Sequence, residues 1–166
     1  MEKRLDLTPR PSSSGSLLSP TRKPGIITVE DDAEVLRAVD RDLRKRYRAS
    51  YDIMRFDSGS IALERLRPAH DAAVIIADLR MPGLNGVEFL IEVAHLHPRA
   101  KRALLTAYAD VDQAIAAINA GINRYILKPW DPPEQQLYPT INYLLHQWWS
   151  MRSDVSITES LRTRVL

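Results

Sequence analysis

Cysteine is absent from this 166-residue chain, which excludes disulfides, thiolate metal sites and cysteine nucleophiles and suits a reducing compartment. Long apolar runs are missing as well. No stretch approaches the roughly 20 residues that span a bilayer, and near the N-terminus Leu17-Leu18 is too short for the apolar centre of a signal peptide. A cytoplasmic protein without membrane contact is the expectation. There is no Cys-x-x-Cys pair and no Gly-rich dinucleotide loop, so dithiol redox chemistry and nicotinamide or flavin chemistry lie outside this chain's own means. His70, His95, His97 and His146 show neither metal-ligand nor triad spacing. An excess of one charge is also lacking: 23 Lys and Arg face 21 Asp and Glu, for a net +2, and a balance so close to zero does not ask for nucleic acid as a partner. The basic run Arg41, Arg44, Lys45, Arg46 and Arg48 is interrupted by Asp40 and Asp42 and reads as a solvated helix face. No helix-turn-helix signature follows residue 149.

What is present is ordinary for a soluble globular domain, with 45% hydrophobic and 27% charged residues. Residues 1–24 carry Pro9, Pro11, Pro20 and Pro24 with Ser12-Ser13-Ser14-Gly15-Ser16 and no apolar periodicity, which predicts a disordered tail. From Gly25 strand-like and helix-like segments alternate. Ile26 to Val29, Tyr51 to Phe56, Ala73 to Ala77, Ala103 to Leu105 and Tyr125 to Leu127 read as strands. Between them, Leu36, Val39 and Leu43 mark the buried face of a first helix, and Ile61, Ala62 and Leu66 that of a short second one. Asn85 with Glu88 opens a third helix whose inner face is Val87, Leu90, Ile91 and Ala94. Asp110 with Gln113 opens a fourth, with Ala114, Ile115 and Ile118 inward and Gly121 as C-cap. Asp131-Pro132-Pro133-Glu134 is expected to open a fifth, buried through Leu137, Ile141, Leu144, Leu145 and Trp148. Trp148 and Trp149 should divide into one core and one partly exposed residue. This alternation implies βαβ units with right-handed crossovers, hence an α/β domain with a doubly wound five-stranded parallel sheet over residues 25–149. Residues 150–166 form a polar C-terminal tail that permits a short amphipathic helix.

Asp78 ends the apolar run Val74-Ile75-Ile76-Ala77 and precedes Leu79-Arg80-Met81-Pro82-Gly83. Alone, such an Asp is more often a turn cap. Its company alters that reading, because strand one ends in Glu30-Asp31-Asp32, strand four in Thr106 and strand five in Lys128-Pro129. In open α/β sheets ligands bind beyond the carboxyl ends of the strands. Clustered carboxylates repel one another unless a cation joins them, and hard oxygen ligands select Mg²⁺. Glu30, Asp31 and Asp78 therefore form a candidate Mg²⁺ pocket. Lys128 and Thr106 supply the charge and the hydroxyl that steady a phosphoryl group in flight, with Asp78 as nucleophile.

The ordered set Glu30-Asp31, Asp78 with Met81-Pro82-Gly83, Thr106-Ala107 and Lys128-Pro129 resembles the receiver domain of two-component response regulators, over about residues 25–147. The resemblance implies a flavodoxin-like sheet of order 2-1-3-4-5. It implies that a sensor histidine kinase or phosphotransfer protein donates a phosphoryl group to Asp78. Mg²⁺ would be held by Glu30, Asp31 and Asp78 with the backbone carbonyl of Arg80. Thr106 and Lys128 would act on the phosphoryl group, Tyr125 falls at an aromatic switch position shared with Thr106, and the Lys128-Pro129 bond is expected to be cis. Glu30 stands where many members have Asp, Arg80 sets a long cation beside the site, and Asn85 replaces a common Asp. Residues 28–39 and 127–134 are further similar to receivers fused ahead of thioredoxin-reductase-like flavoproteins.

The expected function is that of a single-domain response regulator, a signalling module and not an enzyme. It would switch an unknown downstream protein through the face of the fourth helix, fifth strand and fifth helix, which is also a candidate homodimer surface. The alternative is a receiver-like binding module that is not phosphorylated and regulates a partner enzyme such as a flavin reductase. An aspartyl-phosphate hydrolase of the haloacid-dehalogenase type would need a second Asp two residues past the nucleophile, where Arg80 stands.

Overall fold

Val74 to Ala77 and Ile26 to Val29 have no polar face to offer water, and both segments lie inside the sheet, where neither face is wet. The computed structural model describes residues 22–66, 70–107, 116–117 and 119–163. Strands β1 (Gly25–Val29), β2 (Asp52–Phe56), β3 (Ala72–Asp78), β4 (Lys101–Thr106) and β5 (Arg124–Leu127) form one sheet in the order β2-β1-β3-β4-β5. All pairings are parallel, with Ile27 opposite Met54 on one side and Ile75 on the other. The flavodoxin-like topology expected from the sequence is therefore present.

Helices α1 (Ala33–Tyr47), α2 (Gly59–Arg65) and α3 (Gly86–Leu96) and a C-terminal helix (Leu137–Thr163) cover the sheet. Side chains of α1 and the C-terminal helix share one face, where Val39, Leu43 and Tyr47 meet Ile141, Leu144, Leu145 and Trp148 over Ile26, Val74 and Ile76. On the other face Ala62, Phe89, Leu90 and Val93 pack over Ile27, Ile75 and Leu104. Asp32 caps α1 by accepting from the Glu34 and Val35 amides, and Asn85 with Glu88 closes the capping box of α3.

Four local expectations need revision or fall outside the described residues. In α3 the buried face is Phe89, Leu90 and Val93, whereas Ile91 is exposed. The large ring of Phe89 and its i+4 neighbour Val93 set the rotation of the helix. In α2 Ala62 and Leu66 turn inward while Ile61 is exposed. The last helix begins at Leu137, not at Asp131, because two successive prolines lack amide donors and disfavour helical geometry in the residue before each. Residues 132–135 make a turn instead, closed by the Gln135 amide on the Pro132 carbonyl at 3.1 Å, and Pro139 sits in the first helical turn, where no amide donor is required. Asp110, Gln113, Ala114, Ile115 and Ile118, which predict the fourth helix, lie outside the described residues. Gly121 does adopt φ +72°, as a helix C-cap requires.

The C-terminal helix does not break after Trp149. It runs unbroken for 27 residues, through a segment without glycine or a further proline. Ser150 and Ser153 bond back to the His146 and Trp149 carbonyls, and Arg152 reaches Asp71 at 2.7 Å. Among the described residues no helix is long and apolar enough to cross a membrane.

Trp148 is 1% exposed, while Trp149 is half-buried and donates its indole N–H to the Tyr51 hydroxyl at 2.9 Å. Trp148→Ala is expected to lower the unfolding free energy by about 3–5 kcal/mol in urea denaturation, and Trp149→Ala by clearly less. Equal losses would contradict this division of the pair.

Candidate functional site

The carboxyl ends of β1, β3, β4 and β5 deliver Glu30, Asp78, Thr106 and Lys128 to one edge of the sheet. Two backbone bonds bring neighbouring strand ends together there: the Leu79 amide donates to the Leu105 carbonyl at 3.0 Å, and the Lys128 amide to the Thr106 carbonyl at 2.8 Å. Glu30, Asp78 and Thr106 are all buried. Asp31 is exposed at the mouth.

Lys128 closes the floor of this site. Its Nζ lies 2.7 Å from Glu30 Oε2 and 2.7 Å from Asp78 Oδ1. The remaining oxygens also have partners: the Asp32 amide donates to Glu30 Oε1 at 3.0 Å and the Arg80 amide to Asp78 Oδ2 at 3.1 Å. Burial pushes the Glu30 carboxyl above its ordinary value, against the opposing hydrogen bonds from Lys128 and the Asp32 amide, and the nearby Asp78 adds to the rise. For Lys128 burial acts downward, yet hydrogen bonds to Asp78 and Glu30 outweigh it and hold the ammonium above its usual pKa.

One oxygen from each of Glu30, Asp31 and Asp78 lies within 4.8 Å of the others. Three carboxylates gather around the Lys128 ammonium, and Glu30 Oε2 has no hydrogen bond beyond its ion pair with Lys128. Hard oxygen donors at this spacing fit a small divalent cation. Chemically, the site combines a buried carboxylate, a group of acids that could hold a cation, and an ammonium paired with both buried acids.

The structure thus assembles Glu30, Asp31, Asp78 and Lys128 directly and sets Thr106 at the adjoining strand end. The Lys128-Pro129 bond is cis, as expected. Arg80 directs its amide at Asp78, and its side chain is exposed. Tyr125 is separated from this edge: it lies within β5, half-buried against the cluster that contains Phe89 and Leu104.

Gly86 is a contributor that the motif does not disclose. Its amide donates to the Leu79 carbonyl at 3.1 Å, and a Cβ at this position would run into the Asp78 carbonyl. Only glycine lets α3 start so close behind the Asp78 backbone. A glycine directly after a capping Asn is the sequence signal, but a cap accounts for it equally well.

A family model for the response regulator receiver domain matches residues 26–138. The hydrogenase transcriptional regulatory protein HoxA of Cupriavidus necator is 38% identical over 108 residues, which cover 64% of this chain and 21% of that protein. The DNA-binding transcriptional regulator NtrC of Escherichia coli is 32% identical over 111 residues, covering 66% of this chain and 23% of that one. The chain therefore spans about a fifth of the length of these curated relatives. Among solved structures, the signal receiver domain of an HD domain-containing protein from Pseudomonas fluorescens superposes with a TM-score of 0.69 at 26% identity, over 78% of this chain and 99% of that one.

The raised Glu30 carboxyl has a measurable consequence. A carboxyl whose pKa is higher folded than unfolded adds stability below its unfolded value, here 4.5, and loses that stability as pH rises through the folded value. Glu30→Gln cannot ionise. Its unfolding free energy relative to wild type is expected to climb as pH is raised from about 4.5 toward neutrality, read by denaturant titration at each pH. A difference that stays constant, or shrinks, would contradict a raised Glu30.

Proposed function

The chain belongs to the response regulator receiver domain family, and from that premise we propose that Asp78 accepts a phosphoryl group from a phosphohistidine and that the modified domain switches the binding of a partner. Members of this family are signalling modules of two-component systems, phosphorylated by histidine kinases and acting on downstream partners. The observation that carries the assignment to Asp78 is the double ion pair of Lys128, which places one ammonium on the candidate nucleophile and on the buried acid beside it.

Transfer forms a P–O bond to a carboxylate oxygen of Asp78 as the P–N bond of the donor breaks; the electron pair of that bond stays on nitrogen, and the donor ring, already protonated on its other nitrogen, leaves as neutral imidazole. Asp78 attacks from a strand end that is held on both sides, by the Leu105 carbonyl at Leu79 and by its own oxygen at the Arg80 amide. Lys128 already touches Asp78 and can follow the negative charge onto the phosphoryl oxygens. Thr106, buried at the next strand end, brings the hydroxyl that would hydrogen-bond a phosphoryl oxygen. Receiver domains work with a divalent metal at such an acidic pocket, and here Mg²⁺ would be held by Glu30, Asp31 and Asp78 with the Arg80 carbonyl. When bound, the ion neutralises phosphoryl charge that the carboxylates would otherwise repel.

The readout follows from the order of the strands. A shift of Thr106 toward a phosphoryl group acts on β4, and Tyr125 pairs with Leu104 of that strand. Beyond Tyr125 the surface of β5 and the C-terminal helix exposes Leu127 and Tyr143, with the Arg124 guanidinium 4.1 Å from the Tyr143 ring centroid. This face is where two states of the domain would present different surfaces to a partner or to a second copy. A redox flavoprotein as that partner rests on the similarity of residues 28–39 and 127–134 alone.

Incubation with acetyl phosphate and Mg²⁺, or with a phosphorylated histidine kinase, is expected to label the wild-type chain. Asp78→Asn should lose that labelling by at least about a hundredfold, as removal of a nucleophile does, and chelation of the metal should suppress it. Full labelling of Asp78→Asn with both donors would exclude Asp78 as the acceptor.

A further inference from the structure

Phosphoryl transfer as described makes no use of Asp42, yet this carboxylate is buried on α1 in the apolar interface with the C-terminal helix, at 5% exposure. A charge is costly to keep there unless its oxygens are bonded. Asp42 Oδ2 accepts the indole N–H of Trp130 at 3.1 Å, across 88 positions of sequence. Its Oδ1 accepts from Arg41 Nε at 3.0 Å, and its backbone carbonyl accepts the Tyr138 hydroxyl at 3.0 Å. One residue of α1 therefore secures both the segment leaving β5 and the first turn of the C-terminal helix.

Trp130 follows Lys128 by only two residues, and it is itself 8% exposed in the core between those helices. The segment that carries the lysine is consequently fixed at two points: at the Lys128 amide by the Thr106 carbonyl, and at Trp130 by Asp42. A lysine side chain has many rotamers, so a loose backbone beneath it would spread the ammonium over many positions. The observed contacts of 2.7 Å to both Glu30 and Asp78 need a narrow one. We infer that Asp42 is a positioning residue for phosphoryl transfer, holding Lys128 over Asp78 through the Trp130 indole. This rests on the reading of Asp78 as acceptor.

Two variants cut the tether differently. Trp130→Phe keeps a buried ring and removes the N–H; Asp42→Ala removes the acceptor, whereas Asp42→Asn retains an oxygen for the indole. With the intact chain, acetyl phosphate and saturating Mg²⁺, labelling by Trp130→Phe and by Asp42→Ala is expected to slow about fivefold to tenfold, within the range of a misplaced catalytic group. Asp42→Asn should stay within about twofold of wild type, and the double variant should be no slower than its slower parent, because both changes break one link. Mg²⁺ affinity, read by calorimetry, should not fall in any of them, since the carboxylates are untouched. Wild-type labelling rates in both single variants would overturn the inference while leaving Asp78 in place as acceptor, provided Asp78→Asn remains unlabelled. Multiplicative slowing in the double variant, or loss of Mg²⁺ affinity in step with rate, would also overturn it. If Asp42→Ala does not fold, Trp130→Phe and Asp42→Asn still decide. Labelling of Asp78→Asn at the wild-type rate would remove the premise, and the inference with it.

Discussion

Two buried carboxylates at the ends of adjacent strands, Glu30 and Asp78, are held together by one ammonium. Like charges in a poorly hydrated site repel strongly, and without Lys128 the ends of β1 and β3 could not both carry acids so close together. The parallel sheet makes this arrangement available, since it brings every strand's carboxyl end to one edge. Lys128 directly follows the fifth strand, whose place beside β4 sets the lysine next to Thr106, from where its ammonium meets both acids. The upward shifts of Glu30 and of Lys128 have opposite balances: burial lifts the Glu30 carboxyl against its hydrogen bonds, whereas hydrogen bonds to Asp78 and Glu30 lift the Lys128 ammonium against burial.

The rest of the domain serves this edge from both faces. On one, glycine at position 86 lets α3 begin against the Asp78 carbonyl, so this acid has packed backbone behind it. On the other, α1 and the C-terminal helix bury Tyr47, Tyr138, Trp130 and Trp148 in one cluster. Within that cluster the polar atoms are paired with care: Tyr47 donates to Asn142 at 2.8 Å, Tyr138 and Trp130 to Asp42. Burial drives the Tyr47 hydroxyl far above its ordinary pKa, which keeps it a neutral donor. Such a network resists rearrangement, since each unpaired group would be left dry. The surface of β5 and the C-terminal helix, by contrast, leaves Leu127 and Tyr143 exposed.

Much of this was legible before any coordinates. Short strand-like segments of three to six residues located all five strands, and the acids and the lysine at their ends marked the edge that matters. Helix rotation was less legible where two apolar stripes compete: Phe89 and Ile91 are equally apolar, and only packing against β3 and β4 shows that Phe89 goes inward. The start of the last helix was misread because Asp-Pro-Pro-Glu carries the composition of a cap but not its geometry. The link from Asp42 to Trp130 leaves no trace at all, because a hydrogen bond spanning 88 positions has no local spacing to betray it. Residue types specify chemistry at strand ends, where topology does the assembling; they do not specify which distant side chain holds the assembly still.

The central claim is that phosphate lands on Asp78 and not on a neighbouring acid. The most direct measurement is reductive trapping: the chain phosphorylated by acetyl phosphate with Mg²⁺ is treated with borohydride, which converts an aspartyl phosphate into homoserine, and the peptides are sequenced by mass spectrometry. Homoserine at Asp78, and at no other acid, is the result this account predicts. Homoserine at Asp31 or elsewhere, with Asp78 unchanged, would contradict it.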